Sequence, residues 1–358
     1  MSTTLTVDQT ALRIDQAQLP VIDLGGLRTG ERADKEAVAR ALGEAARASG
    51  FFYITNHGVP ADLVEKMFAA SRAFHEKPRG FKMKYWSGFT THHRGYVPLE
   101  ENGTDFPKRI NFNEAWDMSY EAPADHPDHL AGWRMTGPNI WPDIPGWKET
   151  VSGYYEAVFD LGMQMLDALA IELGVDPADL TQHITNPTSQ LRLLRYIEND
   201  MPASKDTVGI DAHSDFECFT ILLQGAPGLQ VMNADDVWIE ADPIPGCFIV
   251  NIGDIFETWS GGQFRSTQHR VNNIGHERYS FPLFFGLDYH AVVEPLEKFR
   301  TPDTVARYPP IKAGEHLMRM SVNAFRYMAE ARASGELILD FEVPDENPFK
   351  REAKPAAE

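Results

Sequence analysis

A histidine and a carboxylate stand two residues apart at His213 and Asp215, and a second histidine, His269, follows Asp215 by 54 residues. Residues i and i+2 of an extended strand point to the same face, so the His213 imidazole and the Asp215 carboxylate would lie side by side. Two histidines and one carboxylate suit non-haem Fe(II) and leave three adjacent coordination positions open. On spacing alone, a surface pair with an unrelated His269 is the simpler interpretation, so the surrounding sequence has to decide.

A second pair with the same spacing, Arg278 and Ser280, begins nine residues after His269. A guanidinium fork and a hydroxyl on one strand face are the donors that a buried carboxylate clamp requires. Asp254 follows an apolar run and is expected at a turn or behind the metal ligands, because a site of this kind already has its one carboxylate.

Arg192, Leu194 and Tyr196 alternate along another β-rich run and are predicted to share one strand face. If that face points inward, Arg192 is buried and needs an anionic partner. A substrate carboxylate and an internal Asp or Glu are equally good partners. We therefore take Arg192 as a candidate substrate-binding residue and keep the internal ion pair as its alternative.

The elements that must position these side chains are short strands. Period-two patterning with turn residues between the runs extends from residue 190 to residue 290 and predicts a sandwich or jelly roll. Before it, the pattern predicts strands at 20–24 and 51–54, helices at 34–48 and 61–75, and a long helix over Val151–Leu173. A further helix is predicted over Pro309–Tyr327, and the polar tail from about Asp345 is expected to fray. The predicted fold class is mainly β with flanking helices.

The segment from residue 85 to residue 148 carries five tryptophans among scattered Pro and Gly residues, which favours loops and short strands over long helices. Its aromatic part, Trp86 to Trp116, either lines the mouth of the site or packs in the core. The residue types fit both interpretations equally.

Composition excludes several classes of function. The 358 residues include 33 Lys and Arg against 52 Asp and Glu, a net charge of −19, which repels nucleic-acid backbones and anionic membrane surfaces. Hydrophobic residues make up 43% of the chain, too many for a disordered protein. No apolar run approaches the ~18 residues of a spanning helix. Two cysteines cannot form a disulfide framework, so we expect a soluble protein of the cytoplasm.

The motifs around the candidate ligands resemble the isopenicillin N synthase-like family of Fe(II)- and 2-oxoglutarate-dependent oxygenases. They occur in family order from residue 19 to about residue 290, and although His-X-Asp alone is a weak signal, the ordered set is very specific. The matching segments are Leu19–Asp23, Gly50–Val59, His213–Asp215, Pro227–Val231, Asn251–Asp254, Ser266–Val271 and Arg278–Ser280.

The resemblance implies a double-stranded β-helix core at 151–300 that begins with the long helix. An N-terminal α/β region at 1–150 would pack on it, and a C-terminal helix and polar tail would occupy 301–358. It also implies that His213, Asp215 and His269 bind Fe(II). Arg278 and Ser280 match the pair that holds the distal carboxylate of 2-oxoglutarate, and Tyr196 falls where a tyrosine often contacts that cosubstrate, although core packing explains a tyrosine there equally well.

The implied reaction oxidises an unactivated C–H bond of a small molecule with O2 and releases succinate and CO2. Hydroxylation is the commonest outcome, and desaturation, ring closure and ring expansion are open alternatives. Two departures from the family pattern are Ser214, where threonine is usual, and Leu194, which replaces a polar residue. The rival functions are an oxidase of the same family that does not use 2-oxoglutarate and a non-catalytic jelly-roll binding protein. A zinc hydrolase is disfavoured because the paired-histidine helix signature of zinc proteases is missing.

Overall fold

The computed structural model describes residues 19–344 and 347–351. Its strands are β1 Val21–Asp23, β2 Phe51–Thr55, β3 Gly95–Val97, β4 Ile110–Asn111, β5 Asn113–Ser119, β6 Gln190–Tyr196, β7 Thr207–His213, β8 Phe219–Gln224, β9 Leu229–Met232, β10 Trp238–Glu240, β11 Phe248–Ile252, β12 His269–Asn272, β13 Arg278–Phe285, β14 Val292–Val293 and β15 Ile311–Lys312. Its α-helices are α1 Arg32–Ala48, α2 Ala61–His75, α3 Arg79–Lys82, α4 Pro127–Leu130, α5 Trp147–Leu173, α6 Pro177–Thr181, α7 Asp254–Trp259, α8 Pro302–Arg307, α9 Ala313–Ala324 and α10 Arg326–Ser334.

Two sheets form the body of the structure. The larger sheet has eight strands in the order β1-β2-β11-β8-β13-β6-β5-β3, and the smaller has five in the order β10-β9-β12-β7-β4. A buried apolar cluster contains side chains from both sheets, such as Leu194 and Ile249 from the larger and Val231 and Val271 from the smaller. Two apposed sheets with helices outside them confirm the predicted class, mainly β with flanking helices.

Strands from before residue 150 extend both sides of the larger sheet. β1 and β2 continue it beyond β11, and β5 and β3 continue it beyond β6. These pairings support the view that the first 150 residues pack on the core, while the division of the chain at residues 150 and 300 stays a prediction.

The outer face of the larger sheet is covered by α1, α2 and α5, which share one large buried cluster with it. Along β6, Leu191 and Leu193 join this helix-facing cluster, whereas Leu194 and Tyr196 join the cluster between the sheets. The predicted alternation of this strand is therefore present. The long helix begins at Trp147, one turn before the prediction, because Gly146 adopts a left-handed conformation with φ of +72° immediately before it.

The prediction of a single helix over Pro309–Tyr327 is wrong. The chain forms α9 and α10, and between them Phe325 is extended, with φ of −116° and ψ of 123°. Phe325 lines the cavity between the sheets, so the break turns an aromatic side chain toward the site. In the part of the chain that is described, no helix is both long and apolar enough to cross a membrane.

Candidate active site

His213, Asp215 and His269 meet between two adjacent strands of the smaller sheet. His213 ends β7, His269 begins β12, and the two residues pair directly across the strands. The Nε2 atoms of both histidines lie 3.5 Å from Oδ1 of Asp215, and the three ligand atoms all lie within 4.8 Å of one another. The sequence-predicted triad is thus brought together with three donor atoms facing one point.

Hydrogen bonds on the side away from the shared point fix the orientation of His213 and Asp215. His213 Nδ1 lies 2.7 Å from the Asp211 carbonyl oxygen, an arrangement in which Nδ1–H donates and Nε2 keeps its lone pair. Asp215 Oδ2 accepts hydrogen bonds from Asn251 Nδ2, at 2.7 Å, and from the Thr220 hydroxyl. Oδ1 is left to face the two imidazoles.

The protonation states of the triad suit a divalent metal. Burial lowers the pKa of His269 to about 4, although the Asp215 charge acts in the opposite direction. Burial alone would raise the pKa of Asp215, but the two histidines and the hydrogen bonds from Thr220 and Asn251 lower it below its ordinary value. Near neutral pH His269 is therefore neutral and the carboxylate ionised, as metal ligation requires. The donor set fits Fe(II).

A cavity of about 350 Å³ opens beside the triad, and Arg278, Ser280 and Tyr196 line it. Arg278 is 1% exposed. Its guanidinium donates hydrogen bonds to Gln224 Oε1 at 2.9 Å, to the Ser280 hydroxyl at 3.2 Å and to the Ala226 carbonyl at 3.0 Å. The guanidinium also lies 4.6 Å from the centre of the Tyr196 ring. Among the residues that the structure describes, no carboxylate pairs with it. A buried guanidinium of this kind has the donors that an anionic ligand requires.

Two family models match the chain. Residues 19–144 match the N-terminal region of the non-haem dioxygenases, described as "non-haem dioxygenase in morphine synthesis N-terminal", and residues 188–287 match the 2OG-Fe(II) oxygenase superfamily. A 2-oxoglutarate-Fe(II) type oxidoreductase of Emericella nidulans is 31% identical over 82% of this chain and 86% of its own length. The chain belongs to the Fe(II)- and 2-oxoglutarate-dependent oxygenases.

Other members of the oxygenase family match over similar lengths. Kihadalactone A synthase of Citrus sinensis is 32% identical over 88% of this chain and 95% of its own length. The solved structure of a full-length Neurospora crassa protein in complex with alpha-KG and thymine has a TM-score of 0.72 at 25% identity and covers 86% of this chain and 98% of that one. The double-stranded β-helix fold, the oxidoreductase class and the use of iron and 2-oxoglutarate, all predicted from the sequence, are confirmed.

Arg192 lines the cavity of this oxygenase, but internal groups hold its guanidinium. Nη1 lies 2.6 Å from Oδ2 of Asp117, its partner across β5 and β6, and Nη2 donates to Oδ1 of Asn102 at 2.7 Å. The structure therefore shows the internal ion pair that the sequence left as the alternative. A contact between Arg192 and a substrate stays a prediction.

Polar residues line the mouth of the oxygenase site, whereas the aromatic side chains of the tryptophan-rich segment pack elsewhere. Asn102, Arg109 and Asn113 line the cavity, and Arg109 forms an ion pair of 2.5 Å with Asp211. Trp116 is fully buried in the large helix-facing cluster. Polar side chains of this segment, and not its tryptophan rings, therefore line the cavity.

Several supporting residues of the oxygenase site escaped the sequence analysis. Thr220 and Asn251 donate hydrogen bonds to Asp215. Gln224 accepts a hydrogen bond from Arg278, and Glu217 lines the cavity. Thr220 lies in β8, five residues after Asp215 in the connection that follows β7, and this closeness in sequence was the available signal for one of them. Burial and the neighbouring Asp215 charge raise the pKa of Glu217 to about 8.

Residues 347–351, here called the clasp segment, pack behind the candidate metal ligands. Asn347 Nδ2 donates to the Ser214 hydroxyl at 2.9 Å and to Oδ2 of Asp254 at 3.0 Å. The Gln268 amide, oriented by its partners, exchanges two hydrogen bonds of 3.1 Å with the Arg351 backbone. Ser214 separates His213 from Asp215, and Gln268 precedes His269, so the clasp segment contacts both ligand-bearing stretches.

The expectation of a frayed tail is therefore wrong for residues 347–351. Residues 345–346 and 352–358 of the predicted tail lie outside the described residues.

Asp254 lies behind the candidate ligands, as the sequence indicated. Its backbone N–H donates to the Asp215 carbonyl at 2.9 Å, and its carboxylate accepts from the Ser266 hydroxyl at 2.7 Å and lies 3.1 Å from His316 Nε2.

Proposed function

We propose that the protein oxidises an unactivated C–H bond of a small molecule, with hydroxylation as the expected outcome, and that Fe(II) is held by His213, Asp215 and His269. The observation that carries the proposal is the buried Arg278 guanidinium, which has no carboxylate partner in the described structure and faces the cavity that contains the triad. The distal carboxylate of 2-oxoglutarate is the anion that fits it.

Different side chains bind 2-oxoglutarate, orient it and exclude water from it. Arg278 and Ser280 bind the distal carboxylate, and Gln224 together with the Ala226 carbonyl keeps the guanidinium in place before the cosubstrate arrives. The Tyr196 ring covers the guanidinium face. Bound Fe(II) supplies the activation of O2 that couples 2-oxoglutarate decarboxylation to substrate oxidation. Apolar walls such as Leu222 and Val271 exclude water from the reacting groups.

The substrate is a small molecule, as the thymine in the Neurospora crassa structure is. The cavity of about 350 Å³ is of the size that such ligands occupy. We place the protein in the cytoplasm, because Cys218 and Cys247 are free thiols, which suits a reducing compartment.

Succinate release tests the proposal. The protein is loaded with Fe(II) without oxygen, exposed to O2 with a panel of small molecules, and assayed for succinate and product mass with and without added 2-oxoglutarate. We expect succinate and an oxidised product only when 2-oxoglutarate is present. Full product formation without it would support the oxidase alternative, and iron binding without turnover of any compound would support a binding protein.

Replacement of Arg278 tests the assignment of the clamp. A lysine keeps the charge but cannot bind a carboxylate through two parallel hydrogen bonds, so Arg278→Lys should raise the KM for 2-oxoglutarate roughly ten- to a hundredfold. Arg326→Lys, at a partly exposed helix position where the arginine pairs with Glu330, is the matched control and should leave that KM unchanged. Equal KM values in the two variants would remove Arg278 from the cosubstrate site.

A further inference from the structure

Glu217 lies inside the active-site cavity, two residues after Asp215, and is 5% exposed. The Cys218 N–H donates to the Phe285 carbonyl at 3.0 Å, which places Glu217 beside Gly286 where β13 ends. Arg278 stands at the opposite end of the same strand. Eight residues of extended chain span roughly 25 Å, so Glu217 lies at the end of the cavity away from the 2-oxoglutarate clamp.

The carboxylate of Glu217 has no cationic partner among the described residues. Its hydrogen bonds come from backbone N–H groups, that of Phe216 at 3.1 Å and its own. The other buried acids around the site and the sheets do have cationic or imidazole partners. These pairs are Glu114 with Lys82, Asp117 with Arg192, Asp215 with His213 and His269, Asp254 with His316, and Glu257 with Arg351.

Metal binding does not account for Glu217. Among the described residues, the group of side chains that could hold an ion consists of His213, Asp215 and His269, and no oxygen of Glu217 joins it. Each of the other buried acids has a cationic or imidazole partner within the chain, so a cationic group in the cavity is the kind of partner that Glu217 lacks. Glu217 lines the cavity, so a group bound there can contact its carboxylate.

We propose that Glu217 pairs with a cationic nitrogen of the substrate, so that the natural substrate carries a guanidinium or an ammonium group. This inference rests on the proposed function and specifies its substrate class. The net charge of −19 supports it at longer range, because an acidic protein attracts cations to its surface. At the site itself, a charge-assisted hydrogen bond in a desolvated cavity selects against an uncharged analogue.

Matched pairs of compounds test the charge directly. Equilibrium binding is measured without oxygen on the full chain loaded with Fe(II) and 2-oxoglutarate, using L-arginine against L-citrulline and L-lysine against 6-hydroxynorleucine. Each pair differs in charge at nearly constant shape. We expect the cationic member to bind about ten- to a hundredfold more tightly, the range for one hydrogen bond to a charged group. Equal binding within both pairs, or binding of none of the four compounds, would overturn the proposal.

The variant Glu217→Gln keeps the shape of the side chain and removes its charge. It should reduce the preference within each pair to less than about threefold, whereas Glu336→Gln, at an exposed position, should keep the full preference. An undiminished preference in Glu217→Gln would assign the selectivity to another residue and overturn the proposal. If the variant does not fold, the binding of the compound pairs to the wild-type protein is still a complete test of the proposal. Failure of the proposed function has a different signature, because wild-type protein would then release no succinate with any compound.

Discussion

The two oxygens of Asp215 have different surroundings, and the difference suits a carboxylate that binds a metal through one oxygen. Oδ2 is held by Asn251 and Thr220, while Oδ1 faces the Nε2 atoms of both histidines. Such outer hydrogen bonds keep a ligand in its binding orientation before the metal arrives, and their loss typically weakens metal binding about ten- to a hundredfold.

We therefore expect Thr220→Val to weaken Fe(II) binding about ten- to a hundredfold without unfolding the protein, because the two side chains are nearly equal in shape. Thr150→Val, which removes a hydroxyl bonded to the Gly146 carbonyl at the start of α5, is the control. Iron titration and circular dichroism of both variants provide the measurement. Unchanged iron affinity in Thr220→Val would show that the hydroxyl does not orient the carboxylate.

At the scale of single residues, the sequence was sufficient to predict which candidate ligand and clamp side chains come together, but not the residues that support them. His213, Asp215, Arg278 and Ser280 stand in short motifs whose spacing already predicts a shared face. Glu217 has no motif of its own, and its importance depends on the absence of a partner, which only the folded structure reveals.

Among the elements, β5 and β6 are joined by a buried ion pair. Arg192 and Asp117 stand opposite each other in the strand register, and the Asp117 side chain has no exposed surface. Removal of the arginine leaves the carboxylate buried with only His93 beside it, at 3.0 Å.

Arg192→Met should accordingly lower the free energy of unfolding by about 3 to 5 kcal/mol, the usual cost of breaking a buried pair from one side. The double variant Arg192→Met/Asp117→Asn removes the orphaned charge and should recover part of the loss. Thermal denaturation and steady-state kinetics on the same samples separate the two roles of the arginine. An unchanged melting temperature with a substrate KM raised about ten- to a hundredfold would instead make Arg192 a substrate-binding residue.

The period-two pattern placed Arg192, Leu194 and Tyr196 on one face, and the structure has them there. The pattern could not identify Asp117 as the partner of Arg192, because the two residues are 75 positions apart. The sequence of one strand does not specify its register with a distant strand. The break between α9 and α10 was missed for another reason. Phe325 is neither Gly nor Pro, and its ring packs against two side chains distant in sequence, His93 and the Arg192 guanidinium, so the helix stops there through tertiary packing.

For the whole molecule, buried histidines set the response to acid. Burial lowers the pKa values of His75, His92 and His269 to about 4, below the ordinary value of 6.5. Between these values the unfolded chain binds protons that the folded chain does not. Stability is therefore complete above about pH 6.5 and is lost progressively as the pH falls toward 4.

His75 lies outside the metal site, in a fully buried position at the end of α2, and permits a clean test. His75→Phe keeps a ring but has no group that titrates. The acid-induced loss in the free energy of unfolding should therefore be about 3 kcal/mol smaller in this variant, given ~1.4 kcal/mol for each pKa unit. Urea unfolding of metal-free protein at pH 7 and pH 4 measures this difference. His276→Gln, at an exposed position, should preserve the wild-type slope. Parallel pH curves for wild type and His75→Phe would contradict the prediction.

The clasp segment also has a consequence for biosynthesis. Asn347 is synthesised 78 residues after His269, which corresponds to roughly 4 to 16 s of translation at ~5 to 20 residues per second. During that interval His213, Asp215 and His269 have all been made, but Ser214 and Gln268 still lack their partners in residues 347–351. If these three residues bind iron as proposed, iron that reaches the nascent chain in this interval meets ligands without their final support, and we expect maturation of the metal centre to follow translation of the clasp segment.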